Sequence, residues 1–388
     1  MKFRKFPFFV CLLFVLNSCA KDDAQPAATT DEDDCFVVNS ASSGTVIPNQ
    51  YIIVYKPAQQ RNSTAARLGE VTRDVLEENG IVGNAMRSAF NGAVEGFVAT
   101  LSSTEAARLS TDDQIERVEP DRVVALSTCF TIVAPTLITW NVNKVGYGNG
   151  IGKTAWVIDT GIDLDHPDLT VDSSRGRSFI STEPSTNDEN GHGTHVAGII
   201  GARNNDFGVL GVASGCKLVP LKVLNKEGKG TLSAVIQALA FVSANGKAGD
   251  VVNMSLGEDV VSASLDQQVQ ATAARGIFLA LAAGNDAKAA NLFSPGRTNG
   301  DNIYTVSAVD SLGNFATFSN FGNDVVDYAA PGVRILSTYK DGKYAKMSGT
   351  SMATPHVAVL LLLNSGNMHY SGFAVNDPDG TPDKIALK

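Results

Sequence analysis

From about residue 135 to 364 the chain alternates short, continuous apolar runs with stretches of helical spacing. The runs fall at 154–158, 218–224, 251–256, 277–283 and 303–309, and the helical stretches at 192–201, 232–244, 265–274 and 351–363. Runs without polar alternation predict strands buried on both faces. Helices between them predict parallel connections, so the pattern implies an α/β fold of three layers around a mainly parallel sheet. Ligands of such sheets bind beyond the carboxyl ends of the strands, where Asp159 and Asn285 fall. An earlier stretch, 49–126, has a different rhythm: a strand at 51–55, and a helix over 64–79 with Leu68, Val71, Val75 and Leu76 on one face. A strand at 93–101, a short helix at 103–109 capped by Ser103 or Thr104, and a last strand at 115–126 complete it. This is the pattern of a small ferredoxin-like α+β unit.

The two ends are different again. Residues 1–5 are basic and 6–16 apolar, too short a run to span a bilayer, and together they read as an export signal. It ends in Leu16-Asn17-Ser18-Cys19, which resembles a bacterial lipobox with Cys19 as the lipidation site, so residues 1–19 are expected to be a lipoprotein signal peptide. Lys21-Asp22-Asp23 behind it resembles a surface-export signal. The polar run over 20–48 cannot bury a core and reads as a flexible tether. The tail, 364–388, is polar and short.

Composition narrows the classes. A chain of 388 residues exceeds one ordinary domain, and 44% hydrophobic residues can build a sizeable core. A net charge of −9 argues against a nucleic-acid partner. A monomer is expected.

The chemistry concentrates in Gly349-Thr350-Ser351-Met352-Ala353-Thr354-Pro355-His356. Here a serine follows a glycine turn and opens a helix, where unpaired N–H groups favour negative charge. An ordinary serine helix cap would explain Ser351 alone. It does not explain Asp159-Thr160-Gly161 and Asn190-Gly191-His192-Gly193-Thr194-His195 in the same chain. Aspartate, histidine and serine are the types needed for nucleophilic acyl transfer: a hydroxyl, a base to take its proton, and a carboxylate to orient the base. A zinc helix requires histidines at i, i+4 with a glutamate between; His192 and His195 are at i, i+3 with no acid between them. His166, His195, His356 and His369 read as structural hydrogen-bonders.

Asp159, His192, Ser351 and the segment Ala282-Ala283-Gly284-Asn285, in that type and order of motifs, resemble the subtilisin-like serine proteases over roughly 49–364. The resemblance implies a serine endopeptidase with Ser351 as nucleophile, His192 as general base, Asp159 as its orienting carboxylate and Asn285 as oxyanion donor. It implies that Ser255, Leu256 and Gly257 form one substrate-binding edge and Gly228 the opposite one. It identifies 49–126, ending in Glu119-Pro120-Asp121, as an inhibitory propeptide and 127–388 as the catalytic domain, with the cut between about 126 and 133. No cofactor is implied for the chemistry; a structural calcium is, with Asp327 as carboxylate and the carbonyls of Asp301 and Ile303 beside it. The implied partners are protein or peptide substrates, the chain's own propeptide, and a membrane through the lipid on Cys19 before maturation. The implied place is the cell envelope, with release once the propeptide is cut. Where many members carry glycine, this chain carries Val359. Cys35, Cys129 and Cys216 leave one cysteine over; Cys129 pairs with Cys216, leaving no free thiol on the mature enzyme, or with Cys35, tying the halves together. A peptide-binding scaffold or adhesin would need none of the four site residues. An ester hydrolase of the G-x-S-x-G type lacks its elbow here.

Overall fold

The computed structural model describes residues 43–57, 64–126, 129–132 and 137–388. Cys19, Cys35 and the expected signal peptide lie outside the described residues, as does most of the expected tether.

The centre is a nine-stranded sheet. In spatial order its strands are His369–Phe373, Lys384–Leu387, Val326–Pro331, Ile303–Val309, Phe278–Ala282, Val251–Met254, Thr154–Asp159, Lys217–Lys222 and Arg177–Ser178. All pair in parallel except the C-terminal hairpin His369–Phe373/Lys384–Leu387. Strand Thr154–Asp159 shows why the apolar runs lack alternation. Ala155 and Val157 face helices His192–Gly201 and Thr350–Asn364, while Trp156 and Ile158 face helices Leu232–Asn245 and Ala263–Ala273. Both faces of this strand are core, so the four residues between Thr154 and Asp159 are all apolar.

The N-terminal module places helices Ala65–Glu78 and Ser103–Leu109 on strands Val46–Tyr55, Met86–Phe90, Gly96–Thr100 and Ile115–Ala125. A fifth strand, Lys229–Thr231, comes from the larger part of the chain and pairs with Ile115–Ala125. The module's sheet is also two-faced. Ile53, Tyr55 and Phe97 pack on its own helices, whereas Ile52, Val54 and Val98 join the core of helices Leu232–Asn245 and Ala263–Ala273. Those two helices receive caps across the boundary: Ser233 N–H donates to Asp121 Oδ1 (3.0 Å), and Ser262 Oγ donates to Glu119 Oε1 (2.5 Å). Carboxylates at helix N-termini satisfy free N–H groups and the dipole together.

Four features depart from the expected pattern. The short helix is capped by Ser102, in a capping box with Glu105, rather than by Ser103 or Thr104. A three-stranded sheet of Ile335–Tyr339, Lys343–Ser348 and Cys129–Ile132 was not foreseen. The polar tail forms the terminal hairpin, with Ile385 and Ala386 buried. Cys216 is a free, buried thiol wedged under Gly150 and Gly201 at the amino end of strand Lys217–Lys222. Residue 129 lies instead opposite Ser348, three residues before Ser351, so the Cys129–Cys216 pairing is not made.

Candidate active site

The candidate site gathers at the carboxyl ends of three adjacent strands, each ending next to a predicted site residue. Asp159 closes Thr154–Asp159, Ser255 follows Val251–Met254, and Asn285 follows Phe278–Ala282. Asp159 is fully buried, and its carboxylate meets His192 Nδ1 at 2.8 and 2.9 Å through its two oxygens. Thr160 N–H donates to Asp159 Oδ1 at 2.7 Å, which fixes the carboxylate's plane.

His192 is the first residue of helix His192–Gly201, and the start of that helix is built for close approach. Gly193 has no room for a side chain: a Cβ there would lie 2.1 Å from Gly161 O. Gly191, at φ 114°, has a conformation other residues avoid, and a Cβ there would strike the Tyr339 ring at 2.2 Å. The helix's free N–H groups are taken by side chains. Gly193 N–H donates to Thr160 Oγ1 (2.9 Å) and Thr194 N–H to Asp188 Oδ2 (2.9 Å). Asp188 also accepts from Thr160 Oγ1, Asn190 N–H, Gly191 N–H and Thr194 Oγ1. Sequence reading missed Asp188; an acidic residue just ahead of a helix start was the available signal. With Nδ1 on Asp159, His192 Nε2 is buried and has no hydrogen-bond partner among the described residues.

Ser351 is the second residue of helix Thr350–Asn364 and is 4% exposed. Its Oγ donates to Ser255 O (3.1 Å), while Ser255 Oγ donates to Ser351 O (2.7 Å). The second bond has a cause in the sequence. Pro355 has no N–H, so the Ser351 carbonyl loses its i+4 partner within the helix, and the Ser255 hydroxyl takes that place. Asn285 is oriented by Thr350, whose N–H (2.8 Å) and Oγ1 (3.0 Å) both meet Asn285 Oδ1. A backbone N–H can only donate, so the amide oxygen faces Thr350 and the NH₂ end lies on the far side.

Ser351, Asn285, Ser255, Leu256 and Gly257 line one cavity of about 200 Å³ together with Ala125 and Leu126 of the N-terminal module. Leu126 N–H donates to Gly228 O (3.0 Å), so the module's last strand lies along the Gly228 edge. Strand Val251–Met254 stops short of Ser255. On that side Ala125 N–H donates instead to the Glu258 carboxyl, a residue sequence reading passed over.

Three of the other histidines hold structure, while His369 is exposed. His195 Nε2 reaches the carbonyls of Ile335 (2.9 Å) and Ala345 (3.0 Å), and burial pushes its pKa down to about 3. His356 Nδ1 donates to Met352 O, its Nε2 accepts from Asn141, and burial pushes its pKa down to about 4. His166 Nε2 meets Lys343 O. Asp327 has one oxygen already accepting the Thr305 N–H at 2.8 Å, and among the described residues no group of three or more His, Cys, Asp or Glu could hold a metal ion.

With this geometry in view, two families match the chain: the Subtilase family over residues 152–372 and Peptidase inhibitor I9 over residues 50–127. The chain is 34% identical over 370 residues to an extracellular serine proteinase of Thermus sp. (strain Rt41A), covering 89% of this chain and 86% of the relative. It is 35% identical over 333 residues to alkaline serine exoprotease A of Vibrio alginolyticus, covering 82% of this chain and 60% of the relative. Among solved structures it is similar to a cold adapted subtilisin-like serine proteinase, with a TM-score of 0.57 and 34% identity over 65% of this chain and 98% of that one.

Proposed function

The chain belongs to the subtilase family, and from that premise we propose that it is a serine endopeptidase, made as a self-processing zymogen, that hydrolyses peptide bonds through an acyl-enzyme. Ser351 Oγ attacks the carbonyl carbon while His192 Nε2 takes its proton; the same nitrogen then returns the proton to the leaving amine. Asp159 keeps the ring in the tautomer with Nδ1 protonated and stabilises the imidazolium. The NH₂ of Asn285 donates to the oxyanion, helped by the N-terminus of the Ser351 helix. Water then repeats the attack on the ester. The observation that carries the reading is His192 clamped on Asp159 with its Nε2 unpartnered among the described residues, in the same chain that lines one cavity with both Ser351 and Asn285.

Residues 49–126 act as the inhibitory propeptide of the catalytic domain 127–388, lying in the cleft as a substrate would. The chain is exported, like the relative named extracellular; anchorage through a lipid on Cys19 and release on processing are the finer form of that reading.

Ser351→Ala is expected to abolish proteolysis and organophosphonate labelling while leaving the far-UV spectrum unchanged. Asn285→Ala is expected to lose about 10²- to 10³-fold in kcat but stay measurable. Near-normal cleavage by the Ser351→Ala protein would exclude Ser351 as nucleophile.

A further inference from the structure

Glu258 is a buried acid with no part in the chemistry above. Its side chain is 1% exposed, and its main chain is locked to Ser294 by Glu258 N–H to Ser294 O (3.0 Å) and Ser294 N–H to Val260 O (2.9 Å). Its carboxyl points at the N-terminal module: Oε1 accepts the Ala125 N–H at 2.8 Å and Oε2 accepts Ser43 Oγ at 2.5 Å.

The register explains why Ala125 needs this acceptor. Strand Ile115–Ala125 runs antiparallel to Lys229–Thr231, with Ala125 opposite Lys229. Leu126 N–H donates to Gly228 O, which makes Ala125 a non-hydrogen-bonded position of that ladder. Its N–H therefore points away, toward the wall that follows strand Val251–Met254. There the acceptor is not a carbonyl but the Glu258 side chain. One step further out, at the next such position, Val123 N–H donates to Thr45 O, so the module's own segment takes over where Glu258 ends.

Resting on the peptidase reading, we propose that Glu258 is a substrate-binding residue of the processed enzyme, accepting the main-chain N–H of the peptide residue that takes Ala125's place. It reads the main chain and not the side chain, so it tolerates any residue there that keeps its N–H. Proline lacks the N–H and is selected against at that position. With the module gone, Ser43 no longer occupies Oε2, and the carboxyl faces the cleft alone.

The test pairs enzyme and substrate changes on the processed enzyme. The substrates are the chain's own 119–132 segment as a peptide, with Cys129→Ser, and the same peptide with lactic acid replacing the alanine at 125, which puts an ester oxygen where that N–H was. A control peptide carries the equivalent ester at 123, whose N–H meets only Thr45. Wild-type kcat/KM is expected to fall roughly ten- to hundredfold for the 125 ester, through KM, and little for the 123 ester. Glu258→Ala should cleave the amide peptide about as poorly as wild type cleaves the 125 ester, and no longer distinguish the two. Glu258→Gln keeps an acceptor oxygen and should keep most of the discrimination. Equal cleavage of amide and 125 ester by the wild type overturns the proposal by itself, whatever the variants do. Discrimination that survives in Glu258→Ala overturns it as well. A wild type that cleaves none of these peptides or any protein overturns the peptidase reading beneath it.

Discussion

Asp383 shows how a single buried acid shapes the stability of this fold. Its carboxyl is 3% exposed, Oδ2 meets Ser307 Oγ, and burial, with Asp377, Asp379 and Asp327 nearby, pushes its pKa up to about 7. The folded state therefore holds this proton more tightly than the unfolded chain, whose aspartates titrate near 4. Its contribution to stability is complete at low pH and is lost as pH rises from about 4 through about 7. In the Ser351→Ala background, Asp383→Asn is expected to raise the melting temperature relative to its parent progressively over that window. A difference that stays constant from pH 4 to 8 would exclude the linkage. The same scale contains the most legible part of the site. Asp159, His192, Asn285 and Ser351 each sit in a short motif whose glycines and turns are local, so they could be singled out from neighbouring residues. Glu258 could not: its partners are 133 and 215 positions away, and nothing in Gly257-Glu258-Asp259 separates it from a solvated loop acid.

At the scale of elements, the helix carrying Ser351 is held by a defect in its own ladder. Pro355 leaves the Ser351 carbonyl without its helical donor, and the Ser255 hydroxyl supplies one from the pocket wall. Ser255→Ala should leave that buried carbonyl unsatisfied and cost about 1–3 kcal/mol, read from urea unfolding of the Ser351→Ala protein. In a Pro355→Ala background the helix regains its own donor, so the same substitution should cost clearly less. Additive losses in the double variant would mean the two groups do not share the carbonyl. Elements were legible to the extent that their apolar pattern was self-contained. The two-faced central strands and the four long helices of the larger part are such cases. The hairpin Ile335–Tyr339/Lys343–Ser348 was missed because its polar members, Ser337 and Thr338, are buried against the carbonyls of His195 and Thr194, which no local pattern reveals. The terminal hairpin was missed because two buried residues, Ile385 and Ala386, anchor an otherwise polar tail.

At the scale of the whole molecule, the last strand of the N-terminal module ends in the candidate active site. Leu126 lies on the Gly228 edge, and residue 129 already pairs with Ser348 beside the nucleophile's helix. Self-processing should therefore cut one of the three bonds between Leu126 and Cys129, a narrower window than the sequence alone allowed. Mass spectrometry of the processed enzyme should find a new N-terminus at 127, 128 or 129, and a terminus at 130 or beyond would contradict this window. The five-stranded sheet that Lys229–Thr231 completes has a consequence for how activity appears. While the chain is whole, the module meets its strand at an effective concentration on the order of millimolar, set by the short linkage. Once the linkage is cut, occupancy becomes a matter of mass action between two separate molecules. Active-site titration after processing should then read low in concentrated solution and rise toward full occupancy on dilution, so that the enzyme switches on by spreading out. A titre indifferent to dilution would mean that the pieces are still joined.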